Sequence, residues 1–348
     1  MNLLILTQKI DINDSILGFF HQWVEEFSKR YEKVTVIALG AGEYRLPQNV
    51  KVFSLGKGGL EIGNWKLEII KKFIYVINFY RYIWQERKNY DSVFVHMNQE
   101  YVLLGAKLWR LMGKKIMLWR NHPKGSILTN LSVFLSDRVF CTSKYSYTAR
   151  FKKTEIMPVG IDTKLFKRDE KINRTANSIL SLGRISPVKN IRSLIEAFNL
   201  LNKEKFSFKA LIIGGVADKD KQYFEMINNK IKEYGLGEIV EFHKAVNSQE
   251  TVNLYNKYEL FINLTLTGSM DKTIFEAMAC ETLVLTSNQA LSGSIDNLLV
   301  VDENDIVQLA SRIKEIFYLR GIEKNKLGKE LRDFVIENHS LNKLMEKI

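Results

Sequence analysis

Cysteine is nearly absent from this chain, which holds only Cys141 and Cys280 among its 348 residues. Both lie in apolar stretches, which points to buried free thiols and away from a disulfide framework or a cysteine-built metal site. The five histidines, at 21, 96, 122, 243 and 339, show no metal-ligand spacing. Proline is almost as scarce, with four residues at 47, 123, 158 and 187. No Pro/Gly-rich segment, low-complexity tract or solenoid repeat is visible. No apolar run reaches the roughly 18 residues needed to span a bilayer. The opening "MNLLILT" is too short for a signal peptide and lacks a basic leader, so a cytoplasmic protein is expected.

What remains is an ordinary globular composition, 46% hydrophobic and 26% charged, long enough for about two domains. The net charge of +12 fits nucleic acid, an anionic membrane face or a phosphorylated ligand, and also a merely Lys-rich surface. No nucleic-acid module is recognisable, and most aromatics sit in apolar segments, so nucleic acid is not expected as a partner.

Short apolar runs rich in branched residues recur in the first half at 3–7, 33–39, 50–55, 92–96, 115–119, 138–142 and 155–158, with helical periodicity at 15–29, 64–88 and 99–112. The second half repeats the scheme. Its strands are expected at 178–183, 209–215, 239–243, 260–266, 282–287 and 298–302. Its helices are expected at 190–203, 219–234, 248–257, 273–279 and 304–319, the last capped by Asn304. Alternation of this kind predicts an α/β chain of two doubly wound, Rossmann-like domains with parallel sheets, hinged near the polar stretch 160–176. Ligands of such sheets bind beyond the carboxyl ends of the strands, so two facing domains would enclose a cleft.

The loops after the second-half strands carry the chemistry. "LGRISPVKN" places Arg184 and Lys189 after the first strand, a fork of donors beside a compact charge, suited to a diphosphate. "IIGG" ends the second strand with Gly214, where backbone can approach closely. "EFHKAV" ends the third at His243, whose backbone suits a base edge. "GSMDKTIFEAMAC" follows the fourth, with Gly268, Ser269, Met270, Asp271, Lys272 and Thr273 at a helix start and Glu276 one turn in. A helix N-terminus offers free amides and a positive dipole end, which hold an anion or simply an N-cap side chain; the stretch alone leaves both open. Glu276 suits the vicinal hydroxyls of a ribose. No G-x-G-x-x-G follows any strand, which disfavours a standard dinucleotide site. "DKD" at 218–220 reads as a polar helix start rather than a metal site, and no metal ligands are assigned.

"GRISPVKN", "IIGG", "EFHKAV" and "GSMDKTIFEAMACETLVLTSN", in this order and spacing, resemble the nucleotide-sugar half of glycosyltransferase family 4, and "IMPVGIDTKLF" (156–166) resembles that family's interdomain segment. The resemblance covers about 155–290 well and the first half less well. It implies the GT-B architecture, with an acceptor-binding domain at 1–160 joined by a returning C-terminal helix at about 336–348. A donor-binding domain would occupy 161–335. It implies a retaining, metal-independent hexosyltransferase that uses a UDP-, GDP- or other nucleoside-diphosphate sugar without a cofactor, building cell-surface polysaccharide or glycolipid. Arg184 and Lys189 would hold the diphosphate and stabilise it as it leaves, and Glu276 would hold the ribose. The family's Glu-x7-Glu pattern lacks its first member here, because Gly268 stands eight positions before Glu276. Asp271 is the candidate to reach the donor sugar in its place.

In the first half, His96 ends the "SVFVH" strand where the family often has a histidine near the reaction centre. Asn121, His122 and Lys124 in "WRNHPKGS" are acceptor-side candidates. The stretch 64–88 interleaves basic residues with aromatics. That suits an anionic membrane surface, and with it a lipid-linked acceptor and a location at the inner membrane face. It equally fits a core-packed helix with a solvated basic edge. Two rival readings are a sugar-nucleotide epimerase of similar architecture, for which no acid/base carboxylate set declares itself, and a non-enzymatic basic binding protein.

Overall fold

The computed structural model describes residues 1–14, 17–58, 65–265, 267 and 270–348, the side chains of 65–67 and 248 apart. The chain divides into two compact units, Met1–Met157 and Pro158–Ile348, so the closing segment 336–348 belongs to the second. Each unit is an all-parallel sheet flanked by helices.

In the first unit the chain runs through β1 (Asn2–Ile10), α1 (Phe19–Ser28), β2 (Lys33–Ala41), β3 (Val50–Ser54), α2 (Trp65–Gln85), β4 (Ser92–His96), α3 (Glu100–Leu111), β5 (Lys115–Trp119), α4 (Ile127–Leu135), β6 (Arg138–Cys141) and β7 (Thr154–Ile156). The strand order is β3-β2-β1-β4-β5-β6-β7. In the second it runs through β8 (Thr175–Leu182), α5 (Ile191–Lys203), β9 (Lys209–Ile213), α6 (Lys221–Glu233), β10 (Val240–His243), α7 (Ser248–Lys257), β11 (Tyr258–Asn263), α8 (Lys272–Ala279), β12 (Leu283–Thr286), α9 (Ile306–Tyr318), α10 (Gly321–His339) and α11 (Leu341–Lys347). Here the order is β10-β9-β8-β11-β12. Both sheets reverse direction between their first and fourth strands in sequence, β1/β4 and β8/β11, and such a reversal opens a crevice at the strands' carboxyl ends.

The apolar runs form strands because a parallel strand covered on both faces needs every side chain apolar; all five residues of β4 and all four of β12 are buried. In α5 the buried Ile191, Leu194, Ile195, Phe198 and Leu201 fall on one helical stripe. Two expectations need correcting. The run 298–302 is not a strand. The Asp296 side chain accepts from Leu298 N (2.8 Å) and starts a tight 3₁₀ turn, leaving Val300 one isolated bridge to Thr286. Leu299 and Val301 are nevertheless buried, so the run marked core rather than strand. The cap of α9 is Asp305, which accepts from Gln308 N at 2.8 Å, while Asn304 spends its amide on Asp302. In the polar stretch after 160, Ile161 and Phe166 are buried in the core of the second unit.

What fixes that stretch is the end of α10. Gly160 N and Ile161 N both donate to the His339 carbonyl (3.0 and 2.9 Å), and Val159 N donates to His339 Nδ1 (3.4 Å). The ring lies against Phe275 and Phe334, with centroids 4.5 and 5.1 Å away. Burial lowers the imidazole pKa to about 4, with a further push from Lys347. Because the unfolded chain takes up this proton near 6.5 and the folded one near 4, stability is whole above 6.5 and falls as pH drops towards 4. The effect is at most roughly 3 kcal/mol. His339→Gln should therefore flatten the acid limb: melting curves of wild type and variant, taken between pH 4 and 7, should converge by several degrees on acidification. Parallel curves would show that His339 does not set this limb.

Candidate functional site

The switch point of the second sheet is built by glycine. At the end of β9 a side chain on Gly214 would bring its Cβ to 1.8 Å from the Gly183 carbonyl oxygen, so only glycine allows the two strand ends to touch. Gly183 itself takes φ +147° and donates its amide to Ile213 O (2.9 Å), and Ile185 N donates to Gly215 O (3.0 Å). The loop carrying Arg184 is thereby laid across the sheet edge. A 3₁₀ turn, Pro187–Lys189, follows and ends on Asn190 in the left-handed region, its amide tied to the Glu303 carbonyl (3.0 Å). Lys189 thus joins Leu182, Gly183, Ile191, Asn263 and Thr265 in lining one recess.

Into this recess points the start of α8. Asp271 is its N-cap, accepting from Thr273 N at 3.4 Å. The Oδ2 of Asp271 also accepts from Asn263 Nδ2 (2.9 Å) and Thr265 Oγ1 (3.2 Å), and it forms an ion pair with the Lys189 ammonium. Asn263 Nδ2 lies 3.1 Å from Thr273 Oγ1 as well. Burial pushes the Asp271 carboxyl up, but the Lys189 charge and the bonds from Lys189, Asn263 and Thr273 N outweigh it and hold the pKa at about 2. The anion at this helix N-terminus is the chain's own carboxylate, ringed by four donors.

Lys272, beside it, turns the other way and donates to the carbonyls of Val159 (2.9 Å) and Gly160 (3.1 Å). Glu276 stands one turn on and accepts from the buried Tyr255 hydroxyl at 3.1 Å. Burial dominates both groups, lowering the Lys272 ammonium and raising the Glu276 carboxyl, and their mutual attraction opposes each shift.

The sheet edge therefore gathers Lys189, Gly214, Asp271 and Thr273, with Arg184 on the same loop, exposed and without an ion pair among the described residues. Met270 lies within reach of the Asn288 amide, 3.7 Å from its sulfur. His243 has its carbonyl bonded to Gly214 N (3.0 Å) and an exposed ring 3.8 Å from Glu241. Gly268 and Ser269 lie outside the described residues. Sequence reading passed over Asn263, Thr265 and Tyr255. The first two carried a usable signal, as polar residues at the very end of an apolar run.

In the first unit, His96 ends β4 at the other switch point. It is buried, its Nδ1 3.3 Å from Thr7 Oγ1 and its ring stacked on Phe20 at 4.1 Å. Asn121 accepts from Ser146 Oγ (2.8 Å) and Thr142 N (3.4 Å), which ties the loop after β5 to the one after β6. His122 Nδ1 accepts from Lys124 N (3.0 Å), and both side chains reach solvent. Among the described residues no three His, Cys, Asp or Glu side chains gather as a metal site would require.

The glycosyl transferases group 1 family model matches residues 162–334, the span that builds the recess. The chain is 23% identical over 226 residues to the alpha-monoglucosyldiacylglycerol synthase of Streptococcus pneumoniae, covering 58% of this chain and 49% of that protein. It spans about half the length of the curated relatives it matches, or less. Among solved structures, sucrose-phosphate synthase from Thermosynechococcus elongatus superposes with a TM-score of 0.80 at 17% identity, covering 100% of this chain and 97% of that one. HepE of Anabaena, solved with UDP and glucose, gives 0.77 at 16% identity, covering 100% and 98%. Residues 162–334 thus resemble the glycosyl transferases group 1 family, on a chain with the GT-B fold of these solved structures.

Proposed function

We propose that this protein is a retaining glycosyltransferase of family 4, moving a sugar from a nucleoside-diphosphate sugar to a glycan or lipid-linked acceptor at the cytoplasmic membrane face. One observation carries the reading: Lys189, Asn263, Thr265 and the first turn of α8 converge on a single anion position at the switch point, beside Arg184, which has no ion pair among the described residues. The uridine-bound fold relative and the glycolipid synthase make UDP-glucose and a diacylglycerol-type acceptor the first pair to try.

In this reading the donor's diphosphate lies across Arg184 and Lys189, and Lys189 exchanges the Asp271 carboxylate for phosphate oxygen. As the bond between the anomeric carbon and the diphosphate breaks, negative charge grows on the leaving group. Arg184 and Lys189 stabilise it. The acceptor hydroxyl attacks from the side the diphosphate leaves, and its proton passes to a phosphate oxygen, so the anomeric configuration is kept. Glu276 accepts from the ribose hydroxyls. The positive charge is supplied by side chains and the helix start, so the reaction is expected to proceed in the presence of a chelator.

A panel of UDP-, GDP- and ADP-sugars, read by nucleotide release and by NMR of the product's anomeric proton, tests this. One base should dominate, the product should keep the donor's configuration, and EDTA should leave the rate unchanged. Release from no donor would remove the transferase reading, and an inverted product would remove retention.

A further inference from the structure

The first unit presents an apolar face that its own fold leaves uncovered. The crossovers β3-α2-β4, β4-α3-β5 and β5-α4-β6 all advance in one direction across the sheet. Right-handed connections therefore set α2, α3 and α4 side by side on one face, and α1 on the other. Contacts agree with this: Tyr80 Oη donates to Leu104 O (2.9 Å), Phe79 packs on Tyr101 and Trp109, and Arg110 donates to the carbonyls of Phe134 and Leu135. The inner faces of these helices build the core. The outer faces of α2 and α4 are largely apolar. Ile70, Phe73, Ile77 and Trp84 of α2 and Ile127 and Phe134 of α4 all stand more than half exposed, Phe73 at 70% and Ile127 at 84%. Exposed apolar side chains of this size on the two helices that flank α3 mark a surface that meets another apolar phase.

Charge says which. Residues 65–153 hold 17 Lys and Arg against 5 Asp and Glu, while the rest of the chain holds 34 of each sign. The whole net charge therefore lies in the segment that carries this face, with Lys72, Arg81, Lys88 and Lys107 exposed around the apolar side chains. A second copy would bring like charge against like, and protein interfaces keep charge out of their centres. An anionic lipid surface accepts both features: aliphatic and aromatic side chains enter the headgroup boundary while lysine and arginine meet phosphates. No helix among the described residues is long and apolar enough to cross a membrane, so the contact lies in the interface plane.

We propose that the outer faces of α2 and α4 dock the protein onto an anionic bilayer, Phe73 and Phe134 inserting and the surrounding basic side chains binding lipid phosphates. This docking is independent of the donor-site reading, and its test uses no sugar nucleotide. The full chain is sedimented with vesicles of phosphatidylcholine alone or mixed with phosphatidylglycerol. Wild type should bind the anionic vesicles on the order of tenfold more than the neutral ones, less so as salt rises. Phe73→Glu combined with Phe134→Glu should lose on the order of tenfold in binding with an unchanged melting temperature, since neither ring is part of the core. Lys72→Glu combined with Lys88→Glu should lose the salt-dependent part. Equal binding to both vesicle types, or a Phe double variant that binds as wild type does, overturns the proposal. So does a wild-type dimer in solution that the same pair of substitutions dissociates, which would make the face a self-association surface.

Discussion

Arg184→Ala combined with Lys189→Ala should abolish the thermal stabilisation expected of the wild-type chain with its cognate nucleoside diphosphate. Each side chain offers charge-assisted bonds worth about 1.5–3 kcal/mol, so losing both costs on the order of a hundredfold in affinity or more. The two substitutions differ in what they do to the protein itself. Arg184 is exposed and unpaired among the described residues, and its loss should leave the melting temperature near wild type. Lys189 is the counter-ion of Asp271, with side-chain exposures of 17% and 14%, so its loss strands a carboxylate. A buried pair broken on one side costs roughly 3–5 kcal/mol, and the remaining exposure places this one at the low end or below. The folded pKa of Asp271, near 2, lies below its ordinary 3.8, so this contribution is present above 3.8 and fades as pH falls towards 2.

Adding Asp271→Asn to Lys189→Ala separates stability from binding. Asparagine still caps α8 and removes the stranded charge, so the melting temperature should recover while nucleotide stabilisation stays absent. Recovery of both would mean that Lys189 serves only to neutralise Asp271. In the wild-type Lys189 background, Asp271→Asn should bind the diphosphate several-fold more tightly, because one negative charge leaves the anion site and Lys189 is freed.

The parts of this site that were legible in the sequence are those a local pattern carries. Arg184, Lys189 and Glu276 stand at fixed offsets from apolar runs, and a doubly covered strand announces its own carboxyl end. The partners are what stayed hidden. The resemblance made Asp271 a candidate sugar contact; in the structure its carboxylate is bonded to Lys189, 82 residues earlier, and to Asn263 and Thr265, which close packing of the β8 and β11 ends brings together. His339 and Val159, 180 residues apart, meet because the end of α10 returns to the 159–161 stretch. Helix α4 went unread, and its pattern is inverted: Thr129 and Ser132 are buried, while Ile127, Leu128, Leu131 and Phe134 stand on its exposed side. Hydrophobicity was taken as strand at 298–302. In both places it reported an apolar contact without saying with what.

Glu276→Gln should cut affinity for the cognate nucleoside diphosphate by roughly ten- to a hundredfold while leaving that for inorganic pyrophosphate unchanged. The carboxylate sits one turn beyond the anion position, near enough to serve the same ligand and too far to serve the same group. One oxygen is taken by the Tyr255 hydroxyl; the other makes no bond among the described residues. Two neighbouring hydroxyls are the natural donors to an ionised carboxylate, and glutamine can answer only one before its amide hydrogens oppose the second. Burial raises the Glu276 carboxyl towards neutrality, so acidification protonates it and should weaken nucleotide binding in wild type. Glutamine does not titrate, so its affinity should lose that pH dependence, and isothermal titration of both ligands on both proteins across pH 6 to 8 reads all of it. Equal losses for pyrophosphate and nucleotide would move Glu276 to the phosphate end of the ligand. No loss for either would place the ribose elsewhere and leave Glu276 as the partner of Lys272 and Tyr255, a support for the turn that clips Val159 and Gly160 onto α8.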